Sequence, residues 1–148
     1  MKKTGWMGGG GQGVGGALAR GLVRGGFRVA LVARTPEFIG ELARELSSLG
    51  EPALALTADA TRPAELRAVI AQARETMGAI EVLLYNARAS SGDGLAGTSV
   101  AQFADSWRIT TLGAFVCAQD TAPALIPEVR CPRICTGTTS HVLGGGGS

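Results

Sequence analysis

Long apolar runs are missing from this 148-residue chain, and no stretch approaches the length of a membrane span. Lysine is confined to Lys2 and Lys3, tyrosine to Tyr85 and histidine to His141. Charge of one sign is also missing: 14 basic against 12 acidic residues leave a formal +2, too little for a nucleic-acid or anionic-membrane footprint. Met1-Lys2-Lys3-Thr4 is basic, but glycines rather than an apolar core follow it, so no signal peptide is expected and a cytoplasmic address is the default. Three cysteines, Cys117, Cys131 and Cys135, cannot all pair within one chain. With one histidine and no fourth thiol, they read as reduced thiols in or near a core rather than as a zinc site.

What is present is a globular composition, 45% hydrophobic and 18% charged, in a chain long enough for one domain. Short apolar runs alternate with stretches of helical period. Thr4–Met7 predicts a first strand, weakened by Gly5 and Trp6 where a buried strand favours Val or Ile, so a loose sheet centre is expected. Val14, Ala17, Leu18, Gly21 and Leu22 mark a helix face that ends at Gly25-Gly26. Arg28–Ala33 is apolar on both faces after its first residue, as in a covered parallel strand. Thr35 and Pro36 open a helix with Phe38, Leu42, Leu46 and Leu49 on one face, closed by Gly50.

Ala53–Thr57 predicts the third strand. The next helix carries Leu66, Val69, Ile70, Ala73 and Met77, and Glu81–Tyr85 is the fourth strand. A polar loop, Asn86–Thr98, precedes a long helix capped by Ser99, with Phe103, Trp107, Thr110, Ala114, Cys117 and Thr121 on one side and Pro123 and Pro127 closing it. Arg133–Thr136 is a short fifth strand. Strands separated by helical crossovers specify an α/β, doubly wound parallel sheet of Rossmann type, with five strands. Residues 1–143 form the expected domain, and 144–148 a Gly-rich tail, either a native loop or a linker.

The chemistry concentrates at Gly8–Gly16, between the first strand and the first helix. Phosphates dock on the free N–H groups and positive dipole end of a helix N-terminus, and Cβ atoms in the turn hold them away. The candidate cofactor contacts there are Gly9, Gly11, Gln12, Gly13, Val14 and Gly15. No Gly-Lys-Ser/Thr follows, which excludes a P-loop. At the end of the second strand, where an acid would bind a ribose 2′-hydroxyl, stands Arg34, nineteen residues after Gly15. A guanidinium suits a 2′-phosphate, so NADP is the expected dinucleotide, with NAD as the alternative. The missing acid also weighs against a methyltransferase. A solvated strand-end residue is the other reading of Arg34.

Taken together, the spacing Gly9-x-x-x-Gly13-x-Gly15, Asp59 after the third strand, Asn86-Ala87 after the fourth, the stretch Trp107–Phe115 and the strand Arg133–Thr139 resemble the short-chain dehydrogenase/reductase family along essentially the whole chain. The resemblance implies that Asp59 and Ala60 lie by the adenine, that Asn86 and Ala87 line the cofactor path, and that Thr138 occupies the place of a catalytic Ser facing a small-molecule substrate. On their own residues, Asp59 reads equally as a helix-capping or loop residue, Asn86 as a loop tie and Trp107 as core packing rather than a substrate wall.

The departures are as informative. The family's proton-transfer pair, a Tyr with a Lys four residues on, occurs nowhere in the chain. Counted from Thr138, it would fall just past Ser148, so the domain is expected to be C-terminally incomplete. Arg88 replaces a Gly and sets a long side chain beside the expected cofactor path, and Thr110 replaces an Asn. His141 has no carboxylate near in sequence to orient it as a base.

Three readings follow. The first is an NADP-binding oxidoreductase domain, inactive as it stands. The second is a non-catalytic nucleotide-binding or interaction module, self-associating through uncovered apolar surface beside the last strand. The third is a gene fragment that binds nothing.

Overall fold

The computed structural model describes residues 2–9, 13–89, 94–125 and 134–135. A parallel sheet runs through these residues in the order β3-β2-β1-β4-β5. Its strands are β1 (Thr4–Gly8), β2 (Arg28–Ala33), β3 (Ala53–Thr57), β4 (Ile80–Tyr85) and β5 (Ile134–Cys135). The crossovers are α1 (Val14–Arg24), α2 (Pro36–Ser48) and α3 (Pro63–Met77). Between β4 and β5 come a single turn, α4 (Gly94–Gly97), then α5 (Val100–Trp107), a π-helical turn at Arg108–Leu112, and α6 (Gly113–Leu125). This is the expected doubly wound arrangement. The chain builds outward from β1 to β3, then returns to lay β4 on the other side of β1.

Alternation along the strands divides the core into two layers. Trp6, Ala30, Val32, Leu83 and Tyr85 point to one face, where Leu66, Ile70 and Met77 of α3 and Val116 and Cys117 of α6 cover them. Met7, Val29, Leu31, Val82 and Leu84 point to the other, under Ala19 and Val23 of α1 and Ile39, Leu42 and Leu46 of α2. The α3 face is the one expected from periodicity, residue for residue.

Several expectations need correction. The central strand is not loose: all five residues of β1 are buried, and Trp6 is fully enclosed. Gly5 gives its missing volume to Leu22, whose Cδ1 lies 2.9 Å from where a Cβ would stand. Thr4 satisfies its hydroxyl on the carbonyl of Met77 at 2.8 Å.

The buried face of α1 is Gly15, Gly16, Ala19 and Val23 rather than the one beginning at Val14, which is 62% exposed. Small residues set against the sheet there let helix and strand approach, while a search for large apolar residues picks the neighbouring stripe. In α2, likewise, Ile39 and Ala43 join Leu42 and Leu46 inside, and Leu49 is exposed.

The long helix after Ser99 begins as expected, with a reciprocal cap: Ser99 Oγ accepts from Gln102 N at 3.2 Å, and Ser99 N donates to Gln102 Oε1 at 2.7 Å. It is then interrupted by the π turn, which inserts an extra residue into the helical register. Residues before and after the insertion therefore do not share one stripe. Phe103 and Trp107 are exposed, while Cys117 and Thr121 are buried, so Trp107 is not core. Pro123 does not end α6, which continues to Leu125. Pro127, Cys131, His141 and the tail 144–148 lie outside the described residues.

Candidate active site

The return of the chain from β3 to β4 makes a topological switch point between β1 and β4, and crevices open there at the carboxyl ends of parallel strands. The register places Gly8 beside both Val32 and Tyr85, so three strands end level. Their ladders continue past the strands: Gly9 N donates to Val32 O at 2.9 Å, and Asn86 N to Gly8 O at 2.8 Å. Ala58 N donates to Ala33 O at 3.1 Å.

Over these ends lies a cleft of about 670 Å³, within the range of small-molecule sites. It gathers Gly9, Arg34, Asp59, Ala60, Asn86 and Ala87, six of the candidates chosen from sequence, contributed by the segments after β1, β2, β3 and β4. Gly13 caps α1, while Val14 and Gly15 occupy its first turn; none of the three lines the cleft. Gly11, Gln12 and Thr138 lie outside the described residues. Trp6, Phe38, Tyr85 and Ile109 also line the cleft and were not singled out as site residues from sequence. Their signal is positional: each stands near a strand end or on the helix that overhangs one.

Gly9 is required twice over. Its φ is +81°, and a Cβ there would stand 2.6 Å from the carbonyl carbon of Asn86 and 2.7 Å from Ala87 Cα. Gly9 is thus pressed against the segment after β4, backbone to backbone. Beyond it, α1 has no acidic residue in its first turn, so nothing on the helix competes for the positive dipole end.

Two arginines and one carboxylate line the cleft. Asp59 Oδ1 accepts from both the backbone N and the hydroxyl of Thr61, each at 2.8 Å. These two bonds, backbone first, hold its carboxyl below the usual range, with Arg62 and Arg34 adding smaller pulls in the same direction. Asp59 is therefore a loop tie that stays ionised; it does not cap α3, whose N-cap position is Arg62. The same segment is closed by Glu65, which accepts from Asp59 N at 2.9 Å.

Tyr85, the one tyrosine in the chain, ends β4 under the π turn. Its hydroxyl donates to the carbonyl of Ile109, within the turn where the α-helical pattern is broken. Burial pushes its phenol well above the ordinary value, and Cys117 adds to the shift. Lys2 and Lys3 precede the opposite end of β1, about 16 Å away at strand rise. There Lys2 pairs with Glu51 at 2.9 Å, and Lys3 lies over the Phe27 ring. Neither lysine is therefore placed to activate this phenol. Among the described residues there is no cluster of three metal-ligating side chains.

This arrangement matches known proteins along the chain. A family model described as short chain dehydrogenase matches residues 6–136. The chain belongs to that family. Its relatives include the rhamnolipids biosynthesis 3-oxoacyl-(acyl-carrier-protein) reductase of Pseudomonas aeruginosa, 30% identical over 117 residues, covering 79% of this chain and 45% of the relative. Among solved structures, a short-chain type dehydrogenase/reductase from Mycobacterium marinum is 25% identical, with a TM-score of 0.86 over 95% of this chain and 57% of the other. A blue fluorescent protein from a metagenomic library, in complex with NADPH, is likewise 25% identical, with a TM-score of 0.86 over 97% and 58%. The chain spans about half the length of the curated relatives it matches. The family is one of oxidoreductases. No helix among the described residues is long and apolar enough to cross a membrane.

Proposed function

We propose that this chain is the NADP(H)-binding domain of a short-chain oxidoreductase acting on a small carbonyl or alcohol substrate, and that these 148 residues alone do not turn over. The observation that carries this reading is the bare Gly9 turn, seated at the switch point in a cleft that Arg34 also lines. A Cβ at position 9 would strike the backbone of Asn86 and Ala87, so only glycine lets the chain turn so closely at this edge, and α1 leaves its N-terminal charge uncompensated. The residues therefore fit a dinucleotide. NADPH complexes among the structural neighbours support the choice of nucleotide.

In this reading Gly9, Gly11, Gln12, Gly13, Val14 and Gly15 form the phosphate cradle, and Arg34 takes the 2′-phosphate through its guanidinium fork. Asp59 and Ala60 border the adenine, while Asn86 and Ala87 close the far wall. Thr138 would face the substrate carbonyl. When bound, the nicotinamide supplies or accepts a hydride. The chain's own residues bind, orient and exclude water, but none of those described can exchange a proton with substrate: the Tyr85 phenol is committed to Ile109 and is held protonated by burial.

Calorimetric titration of the chain with NADPH and NADH tests the reading. NADPH is expected to bind more tightly, and Arg34→Ala to reduce NADPH affinity by about tenfold or more without altering NADH affinity, the loss of one charged hydrogen-bonding contact. Flat titrations with both nucleotides would remove the proposal. Ordinary carbonyl-reductase rates from this chain would remove its second half.

A self-associating module is the second reading. It is favoured by Phe103, Trp107 and Phe115, exposed at 67%, 49% and 59%. Sedimentation at rising concentration separates the two, since a well-behaved monomer argues against an apolar interface.

A further inference from the structure

Arg88 stands where a long side chain ought to obstruct the cofactor path, and the geometry gives it a different part. Asn86 N is bonded to Gly8 O, and the backbone of Asn86 and Ala87 packs on Gly9 so closely that no Cβ fits between them. The segment carrying Arg88 is thus fixed to Gly8 and Gly9 at the end of β1. One residue beyond Ala87, the Arg88 Cα is about 3.8 Å along the chain from an atom already touching Gly9. Its neighbours in sequence, Ala87 and Ala89, are small and line the same cleft.

Among the described residues the charge there is uncompensated, and no carboxylate pairs with Arg88. Asp59, the one acid lining the cleft, follows β3 and has an oxygen held by Thr61. Arg34 lies after β2 and Arg88 after β4, so the cleft presents two guanidinium groups from opposite sides of β1. Such a pair suits a ligand with two separated anionic groups better than one with a single phosphate.

Resting on the dinucleotide reading above, we infer that Arg88 is a second anion contact, gripping the pyrophosphate bridge beside Gly9 while Arg34 holds the 2′-phosphate. The two arginines then differ in what they recognise. The bridge is common to NADPH and NADH, whereas the 2′-phosphate belongs to NADPH alone. Arg88 sets affinity for either dinucleotide, and Arg34 sets the preference between them.

Titration of wild type, Arg88→Gly and Arg88→Lys with NADPH and NADH decides the matter. Arg88→Gly should weaken both nucleotides by about tenfold and by the same factor, leaving their ratio unchanged. Arg88→Lys, keeping the charge but not the fork, should recover part of the loss. Arg88 is exposed, so both variants should keep the wild-type melting temperature. Tighter binding by Arg88→Gly would identify the side chain as an obstruction and overturn the inference. So would unchanged binding, or weakening of NADPH alone. If wild type binds neither nucleotide, the dinucleotide reading fails first, a result distinct from binding that ignores Arg88.

Discussion

The turn after β1 and the segment around Tyr85 face one cleft, yet they differ in what they need from side chains. The first works through what is missing: no Cβ at Gly9, no acid in the first turn of α1, a guanidinium where an acid would otherwise stand. The second contains a phenol, but one buried, bonded to a helix carbonyl and remote from both lysines of the chain. Binding a phosphate bridge asks for exposed backbone N–H groups and a few charges, all of which a strand-turn-helix provides. Proton transfer asks for two ionisable side chains on one rigid face at matched pKa, and the described residues hold no such pair. In the proposed reading binding and catalysis are therefore separable, and the variants below test that separation.

The largest effect belongs to Gly9. A Cβ at this position meets backbone of Asn86 and Ala87, which cannot rotate away, and the φ of +81° adds strain for any L-residue. Gly9→Val is expected to cost about 3–5 kcal/mol, with loss of dinucleotide binding, and Gly9→Ala somewhat less. Gly13 provides the contrast: its φ is +89°, but among the described residues nothing lies within 4 Å of the added Cβ. Gly13→Ala should pay only the backbone cost of that conformation, about 1–3 kcal/mol. Thermal denaturation of the three variants measures the difference. Equal losses at the two glycines would show that close approach of the 86–87 backbone plays no part, and the comparison would fall.

Much of this was legible in the sequence, for reasons that differ by element. β2 and β3 have the boundaries that their apolar runs suggest: β2 is buried from Val29 to Val32, and β3, at the sheet edge with only Leu56 buried, still carries an uninterrupted apolar run up to Thr57. The α3 stripe was legible because its large apolar residues recur at helical spacing. α1 was misjudged by one residue because its buried face begins with two glycines, which carry no apolar signal. β1 was undervalued because Leu22, distant in sequence, fills the space above Gly5. In the cleft, Arg34 and Asp59 were visible from their position after strands. Tyr85 was not, since its role depends on a π turn that no residue pattern announces and on Ile109 lying above it.

Gly113 and Tyr85 sharpen the other half of the comparison. A Cβ at Gly113 would collide with the Tyr85 hydroxyl and come within 3.1 Å of Ala60 O. Gly113→Ala should lose about 1–2 kcal/mol even though Ala favours a helix over Gly by about 1 kcal/mol. Tyr85→Phe removes the obstructing oxygen, so the same Ala should cost less in that background. A double-mutant cycle should therefore show a coupling of about 1 kcal/mol. Additive losses would mean that the phenol is not packed beneath the π turn, and the account of an immobilised Tyr85 would fail with it.

The smallest effect is the cleanest to read, because Tyr85 is the sole tyrosine. Its phenol is raised above the ordinary value of about 10, mainly by burial. A raised pKa means that the folded state holds the proton more tightly than the unfolded chain does. The stabilisation is therefore fully present below about pH 10 and is lost as the pH climbs from there toward the folded value, where unfolded chains have already released the proton. Phenolate absorbance in native protein should stay flat through pH 10 and rise only together with loss of helical signal. Tyr85→Phe should lose less stability between pH 9 and 11 than wild type does. A phenolate that appears near pH 10 in protein still folded would reveal a solvent-accessible, exchangeable proton. The second region would then hold a group competent for acid–base work, and the division between a binding half and a catalytically idle half would no longer stand.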